Sequence, residues 1–292
     1  MALSHETTRA TASPVLLPAV AVVGGIVSLS IGTSFAEHLF PIVGAQGTTA
    51  LRVTFAAVLL TIIWRPWRRR LTRREAVAVG VYGAILGVMN LAFYLALRTI
   101  PFGIAVAIEF MGPLSIAALS SRRPMDFVWI GFAVLGLSQL LPFGGASRHL
   151  DPVGLAFAGA AGVAWAGYII FGERAGRLRG ADSVALGTAV ATLVVLPFGV
   201  LQAGGALLAP GVLAMGLGVA LLSSAVPYTL EMYAMQRLPR QTFGVLLSVE
   251  PAISALAGLV ILNQALSATQ WMAIGSIVVA SIGSAATAGR RR

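Results

Sequence analysis

From residue 15 to residue 288 the chain alternates between long apolar runs and short polar turns, most of which carry arginine. Ten runs fall near 15–35, 45–64, 76–97, 103–119, 127–143, 152–172, 183–203, 211–233, 242–262 and 270–288. Each is about 17–23 residues long, enough for a helix rising ~1.5 Å per residue to cross the hydrocarbon of a bilayer. Backbone N–H and C=O groups in hydrocarbon need partners inside the protein, which leaves helices or a closed barrel. No stretch alternates apolar and polar side chains as a barrel strand does, so the pattern predicts an all-α membrane protein with ten transmembrane helices. Residues 1–14 are expected to form a polar cytoplasmic tail, since MALSHETTRATAS has none of the three parts of a signal peptide.

Composition agrees with this reading. Only 10% of the residues are charged and 58% are hydrophobic, whereas a soluble domain carries about a quarter charged residues. The absence of cysteine removes disulfides and thiolate chemistry. A net charge of +10 would suggest nucleic acid in a soluble chain. Here the charge sits in short loops between apolar spans and reads as topology. All twenty basic residues are arginine; with the N-terminus inside, seventeen fall on the inner side, only Arg98 and Arg148 fall outside, and Arg52 lies within a span. That asymmetry predicts an inner-membrane protein with both termini in the cytoplasm, the second being the basic tail 289–292.

The chain also repeats itself. ALRVTFAAVLL in the second span matches ALGTAVATLVVLP in the seventh, and Tyr94…Arg98…Pro101…Glu109…Pro113 is echoed by Tyr233…Arg237…Pro239…Glu250–Pro251. The expected units are 15–147 and 148–288, with five spans each. Five is odd, so the second unit enters the membrane upside down, as in secondary transporters built from inverted repeats.

No constellation for catalysis, metal or nucleotide binding is found: His5, His38 and His149 lie far apart, and no phosphate-cradling loop is present. No cofactor and no enzymatic activity are expected, and uphill transport must then draw on an ion gradient. The informative residues are ionisable groups inside apolar spans, because a charge there is costly. Arg52 and Glu109 lie at similar depth, about 9–10 Å below the outer ends of their spans, which predicts an ion pair. Glu250 lies about 12 Å above the inner end of its span. Its repeat counterpart is Glu109, while the counterpart of Arg52 is Gly187. Glu250 therefore lacks a cation, and desolvation favours the protonated form of such an acid. Glu250, followed by Glu109, is expected to carry protons. Glu231, near an inner end, is expected to reach the interface by snorkelling. Pro113, Pro227 and Pro251 are expected to kink their helices and expose carbonyls. Asn90, Tyr94, Trp165, Tyr168 and Tyr228 join Arg52, Glu109, Glu231 and Glu250 as substrate-binding candidates, although each alone is more often a packing residue. Gly83, Gly87, Gly159 and Gly162 are expected to serve close helix packing.

SIGTSFA, TALR, GVMNLAFYLAL, PFGIAVAIEFMGPL, SSRRPMDFVW, WAGYIIFGERAG, SSAVPYTLEM, RLPRQTFGVLLSVEPA and LNQALSATQ together resemble the drug/metabolite transporter superfamily in its EamA-type branch. Within it the likeness is to bacterial inner-membrane threonine and homoserine exporters. The resemblance implies two inverted five-helix repeats around a cavity lined by spans 1, 3, 4, 6, 8 and 9, and efflux driven by protons. Asn263–Gln264 departs from the Gly-Glu usual after the ninth span, which removes a carboxylate from the outer mouth. The expected function is proton-coupled export of small amino acids; the alternatives are a same-fold exporter of drugs or other metabolites, and a membrane-embedded enzyme or channel. The expected partners are the amino acid, protons and membrane lipid, without nucleic acid; whether the chain is a homodimer is left open.

Overall fold

The computed structural model describes residues 16–119, 124–140, 150–180, 182–235, 237–238, 243 and 246–288. The two expected tails, the expected unit boundary near 148, and Arg122, Arg123, Arg148 and Arg240 lie outside the described residues. Among the described residues twelve α-helices have both ends in view: α1 (Leu16–Glu37), α2 (Phe40–Trp64), α3 (Arg73–Ala96), α4 (Phe102–Glu109), α5 (Met111–Leu119), α6 (Pro124–Leu140), α7 (Pro152–Arg179), α8 (Asp182–Ala203), α9 (Pro210–Ala220), α10 (Val226–Met235), α11 (Glu250–Leu262) and α12 (Ala268–Ala288). Among the described residues, six helical stretches are long and apolar enough to cross a membrane, and four shorter ones are also apolar. The outward face is apolar as well: Val163, Leu201 and Val260 are 76%, 85% and 75% exposed. An apolar surface of this kind is suited to lipid, not water.

Local chemistry sets the helix ends. At the start of α3, Thr72 and Glu75 form a capping box: the Glu75 N–H donates to the Thr72 hydroxyl oxygen at 3.3 Å, and the Thr72 N–H donates to the Glu75 carboxylate at 2.9 Å. Asp151 caps α7 by accepting from the N–H groups of Val153 and Gly154. The Thr99 hydroxyl, with those two amides, holds the Asp151 carboxyl below its ordinary range. The pattern places the end of the sixth span near 172, yet α7 runs on to Arg179. The extra turns are polar and carry an exposed Glu173–Arg177 pair at 2.6 Å.

Gly44 (φ 69°) breaks α2 near its start, a backbone conformation that favours glycine. Close to this break the Gln46 N–H donates to the Gln202 side chain of α8 at 3.0 Å. Near the far ends of the same helices the buried Arg179 guanidinium ties α7 to the α2–α3 turn. It donates to the Pro66 carbonyl at 3.2 Å and pairs with Asp182 at 3.1 Å.

Packing between helices is ordered. The broadest contacts are α2 with α8, α3 with α7, α6 with α12, α3 with α8, and α1 with α10; α4 with α11, α1 with α11, α2 with α9, and α7 with both α4 and α5 follow. Small residues allow these approaches. Gly83 and Gly87 lie against Gly187, Val190 and Val194 of α8, and Gly162 of α7 lies against the Glu109 carbonyl. Gly159 has nothing against it and does not serve packing. Every residue of α4 is buried, so this short helix stands at the centre of the bundle.

Candidate functional site

Two backbone irregularities build the site. Between α9 and α10 the chain makes one π-turn, Leu221–Ala225, in which the Val226 N–H bonds to the Leu221 carbonyl. The Leu222 carbonyl loses that N–H, and Pro227, the next candidate, has none to give. The Ser28 hydroxyl of α1 fills the vacancy at 2.7 Å. Pro227 also deprives Ser223, four residues back, of its helical donor. The Ser223 carbonyl accepts instead from Nη2 of Arg52 at 3.1 Å. Nη1 of Arg52 donates to Oδ1 of Asn90 at 2.9 Å, and Asn90 is itself held by donating to the Leu86 carbonyl at 2.9 Å. The Tyr94 ring lies beneath the guanidinium at 5.4 Å.

The second irregularity is the break between α4 and α5 at Phe110. Pro113 has no N–H for the Glu109 carbonyl, so the helix is interrupted directly after that acid. Trp165 of α7 packs edge-on against Phe110, with ring centroids 5.3 Å apart. In the similar sequence later in the chain, Pro251 follows Glu250 at the first turn of α11, where the missing N–H costs nothing. Glu250 thus begins a helix and Glu109 ends one, although both precede prolines in similar sequence. Pro113 follows an interruption between two helices and Pro227 follows a π-turn, whereas Pro251 stands in the first turn of a helix.

These elements enclose a cavity of about 480 Å³. Its walls come from α1, α3, α4, α5, α7, α10 and α11, and α2 contributes Arg52. Asn90, Glu109, Trp165, Tyr168, Tyr228, Glu231, Glu250 and Pro113 all line it, with Phe93, Phe102 and Phe110 among the apolar residues. Tyr94 does not; it is fully buried behind Arg52 and supports it. Pro227 and Pro251 act through the backbone, outside the lining. Glu231 belongs to the cavity wall, which corrects the expectation that it snorkels to the interface.

The expected Arg52–Glu109 ion pair is not formed. The ion pairs among the described residues are Arg177–Glu173 and Arg179–Asp182. Equal depth fixes a residue's height in the membrane but not the direction its helix turns it. Nε of Arg52 makes no hydrogen bond. One arginine without a carboxylate partner therefore shares a cavity with three glutamates. A guanidinium in this state suits a carboxylate, and the acids suit an ammonium group or a proton.

Two features were missed by sequence reasoning. The Ser223 carbonyl carries no side-chain signal, and only the proline four residues later marks it. Away from the cavity, Gln264 joins three elements. Its Oε1 accepts from the Phe102 N–H at the start of α4 at 2.8 Å, and its Nε2 donates to Glu37 at the end of α1 at 3.2 Å. Asn263 (φ 53°) ends α11 and turns Gln264 into this position, where the Gln264 N–H returns to the Gly258 carbonyl. The amide takes the place where the resemblance leads one to expect a carboxylate.

Residues 152–285 match the EamA-like transporter family. The chain is 48% identical to the threonine/homoserine exporter RhtA of Escherichia coli (strain K12), over 94% of its own length and 93% of that protein. It is 46% identical to the threonine/homoserine exporter RhtA of Salmonella typhimurium (strain LT2), with the same coverage. A crystal structure of a protein 20% identical covers 94% of this chain and 97% of that one, with a TM-score of 0.57. At that identity the likeness is one of fold.

Proposed function

Since the chain belongs to the EamA-like transporter family, a family of multi-pass membrane proteins, we propose that it exports threonine- and homoserine-like amino acids in exchange for protons. The observation that carries this reading is the Arg52 guanidinium, free of any carboxylate partner, in one cavity with Glu109, Glu231 and Glu250. An amino acid carries both charges. Its carboxylate is received by Arg52 and its ammonium by a glutamate, and Glu250 gives up its proton to admit the cargo.

The mechanism is alternating access between two inverted units, 15–147 and 148–288, each of five spans. Support comes from the packing itself. If each helix is exchanged for its counterpart, α3 with α7 becomes α1 with the α9–α10 stretch, and α3 with α8 becomes α2 with α9. The pairs α2–α8 and α6–α12 map onto themselves. A set of contacts closed under this exchange fits a two-fold axis in the membrane plane, about which the units can rock. The arginine bias puts both termini inside.

The aromatic side chains of the cavity favour a second reading, a same-fold exporter of drugs or other small metabolites. Arg52 separates the two readings, because a cationic drug gains nothing from a guanidinium.

The test is transport in vesicles holding purified protein. Glu250→Gln keeps shape and fixes the neutral form. It should still exchange threonine across vesicles at equal pH and lose at least tenfold of the accumulation driven by a pH gradient. Accumulation at the wild-type rate would remove Glu250 from the proton path.

A further inference from the structure

Away from the central cavity, a groove of about 470 Å³ lies between the first turns of α3 and the late turns of α7. Its apolar part is Val77, Ala78, Val81 and Phe171, and its charged part is Arg73, Arg74 and Arg174. Val77, Val81 and Phe171 are 61%, 39% and 37% exposed, so the apolar part is open to the surroundings. The three arginines are exposed too and make no ion pair among the described residues. The two acids nearest in sequence are engaged elsewhere, Glu75 in the capping box with Thr72 and Glu173 with Arg177.

The level of the groove is marked independently. Trp64 and Trp67, exposed at the end of α2 and in the turn before α3, are of the type that gathers at the membrane–water boundary. Positive charge at headgroup level, continued by an apolar slot along the helices, complements an anionic phospholipid. Guanidinium groups bind phosphate oxygens in two-pronged fashion, and an acyl chain covers Val77, Val81 and Phe171. Free phosphate would leave the slot bare, and a zwitterionic lipid would leave the charge uncompensated.

We propose that this groove holds one anionic phospholipid, with its phosphate on Arg73, Arg74 and Arg174 and a chain along Val77, Val81 and Phe171. Since α3 and α7 come from opposite units, the lipid sits on the seam between them. The proposal rests on the membrane-spanning reading and on neither the cargo nor the proton coupling.

Native mass spectrometry of the purified full chain in detergent tests it without reference to transport. Phosphatidylglycerol should be retained about tenfold better than phosphatidylethanolamine with the same chains, which corresponds to ~1.4 kcal/mol. Arg73→Gln/Arg74→Gln/Arg174→Gln should abolish the preference, and Arg68→Gln/Arg70→Gln, on the neighbouring turn, should keep it. Phe171→Ala keeps every charge and should weaken phosphatidylglycerol retention severalfold, which keeps the proposal testable if the triple variant does not fold. Equal retention of the two lipids, a preference that survives in the triple variant, full displacement by inorganic phosphate, or Phe171→Ala binding like the wild type would each overturn it.

Discussion

Arg52 on α2 and Gly187 on α8 hold matching places in the proposed repeat, and their surroundings differ completely. Arg52 projects a charge toward the α9–α10 stretch, where a carbonyl released by Pro227 waits for it, and it borders the 480 Å³ cavity. Gly187 projects nothing. Instead the Tyr82 ring of α3 packs onto it so closely that a Cβ there would enter the ring, and Tyr82 borders a cavity of only about 80 Å³. One unit reaches across the seam with a cation, and the other receives an aromatic ring from across it. In the proposed repeat, two units can share a backbone plan while only one of them presents a cation to the cavity.

The largest expected effect follows from removing the charge. Arg52→Gln should lower threonine transport by at least ~100-fold, about 2.7 kcal/mol in transition-state terms, with the protein still folded by thermal melting. Transport at the wild-type rate would mean that the two places do not differ in function. A smaller effect, on stability, is expected at Gly187. Gly187→Ala should cost about 1–3 kcal/mol through overpacking against Tyr82, and adding Tyr82→Leu should restore the melting temperature with transport largely intact. If Gly187→Ala instead abolished transport at unchanged stability, the second unit would be handling substrate as well. The smallest effect tests the released carbonyl. Pro227→Ala supplies an N–H that competes with Arg52 for the Ser223 oxygen; the loss of one anchor, worth about 1 kcal/mol, should raise the KM for threonine about fivefold and leave stability unchanged or higher. An unchanged KM would show that the carbonyl does not position Arg52.

The sequence carried the all-helical class and the six long apolar spans, because twenty-residue apolar runs have few other solutions; the fourth expected span is instead divided between α4 and α5. It also singled out Arg52, Glu109 and Glu250, because a charge in an apolar run stands out whatever its partner. It did not carry directions around the helix axes. The Arg52–Glu109 pair was argued from depth alone and fails. Glu231 was judged from its nearness to a span end, yet its helix turns it to the cavity. Tyr94 falls behind Arg52 for the same reason. The break at Phe110 was readable from Pro113, but not the different use of Pro251, since a proline interrupts a helix or begins one depending on how the chain arrives. Gln264 shows a further limit: its partners Glu37 and Phe102 are 227 and 162 residues away, and no local pattern joins them.

That glutamine bears on how three helix ends are held to one another. Its amide accepts at one atom and donates at the other, so it can bridge the backbone N–H of α4 and the Glu37 carboxyl without any proton of its own to lose. The donor end can serve Glu37 in either protonation state, and it holds the charged carboxylate more strongly than the neutral acid. A clasp of this kind ties the end of α1, the start of α4 and the end of α11 to a single side chain, so that none of the three can part from the others without breaking a hydrogen bond to it.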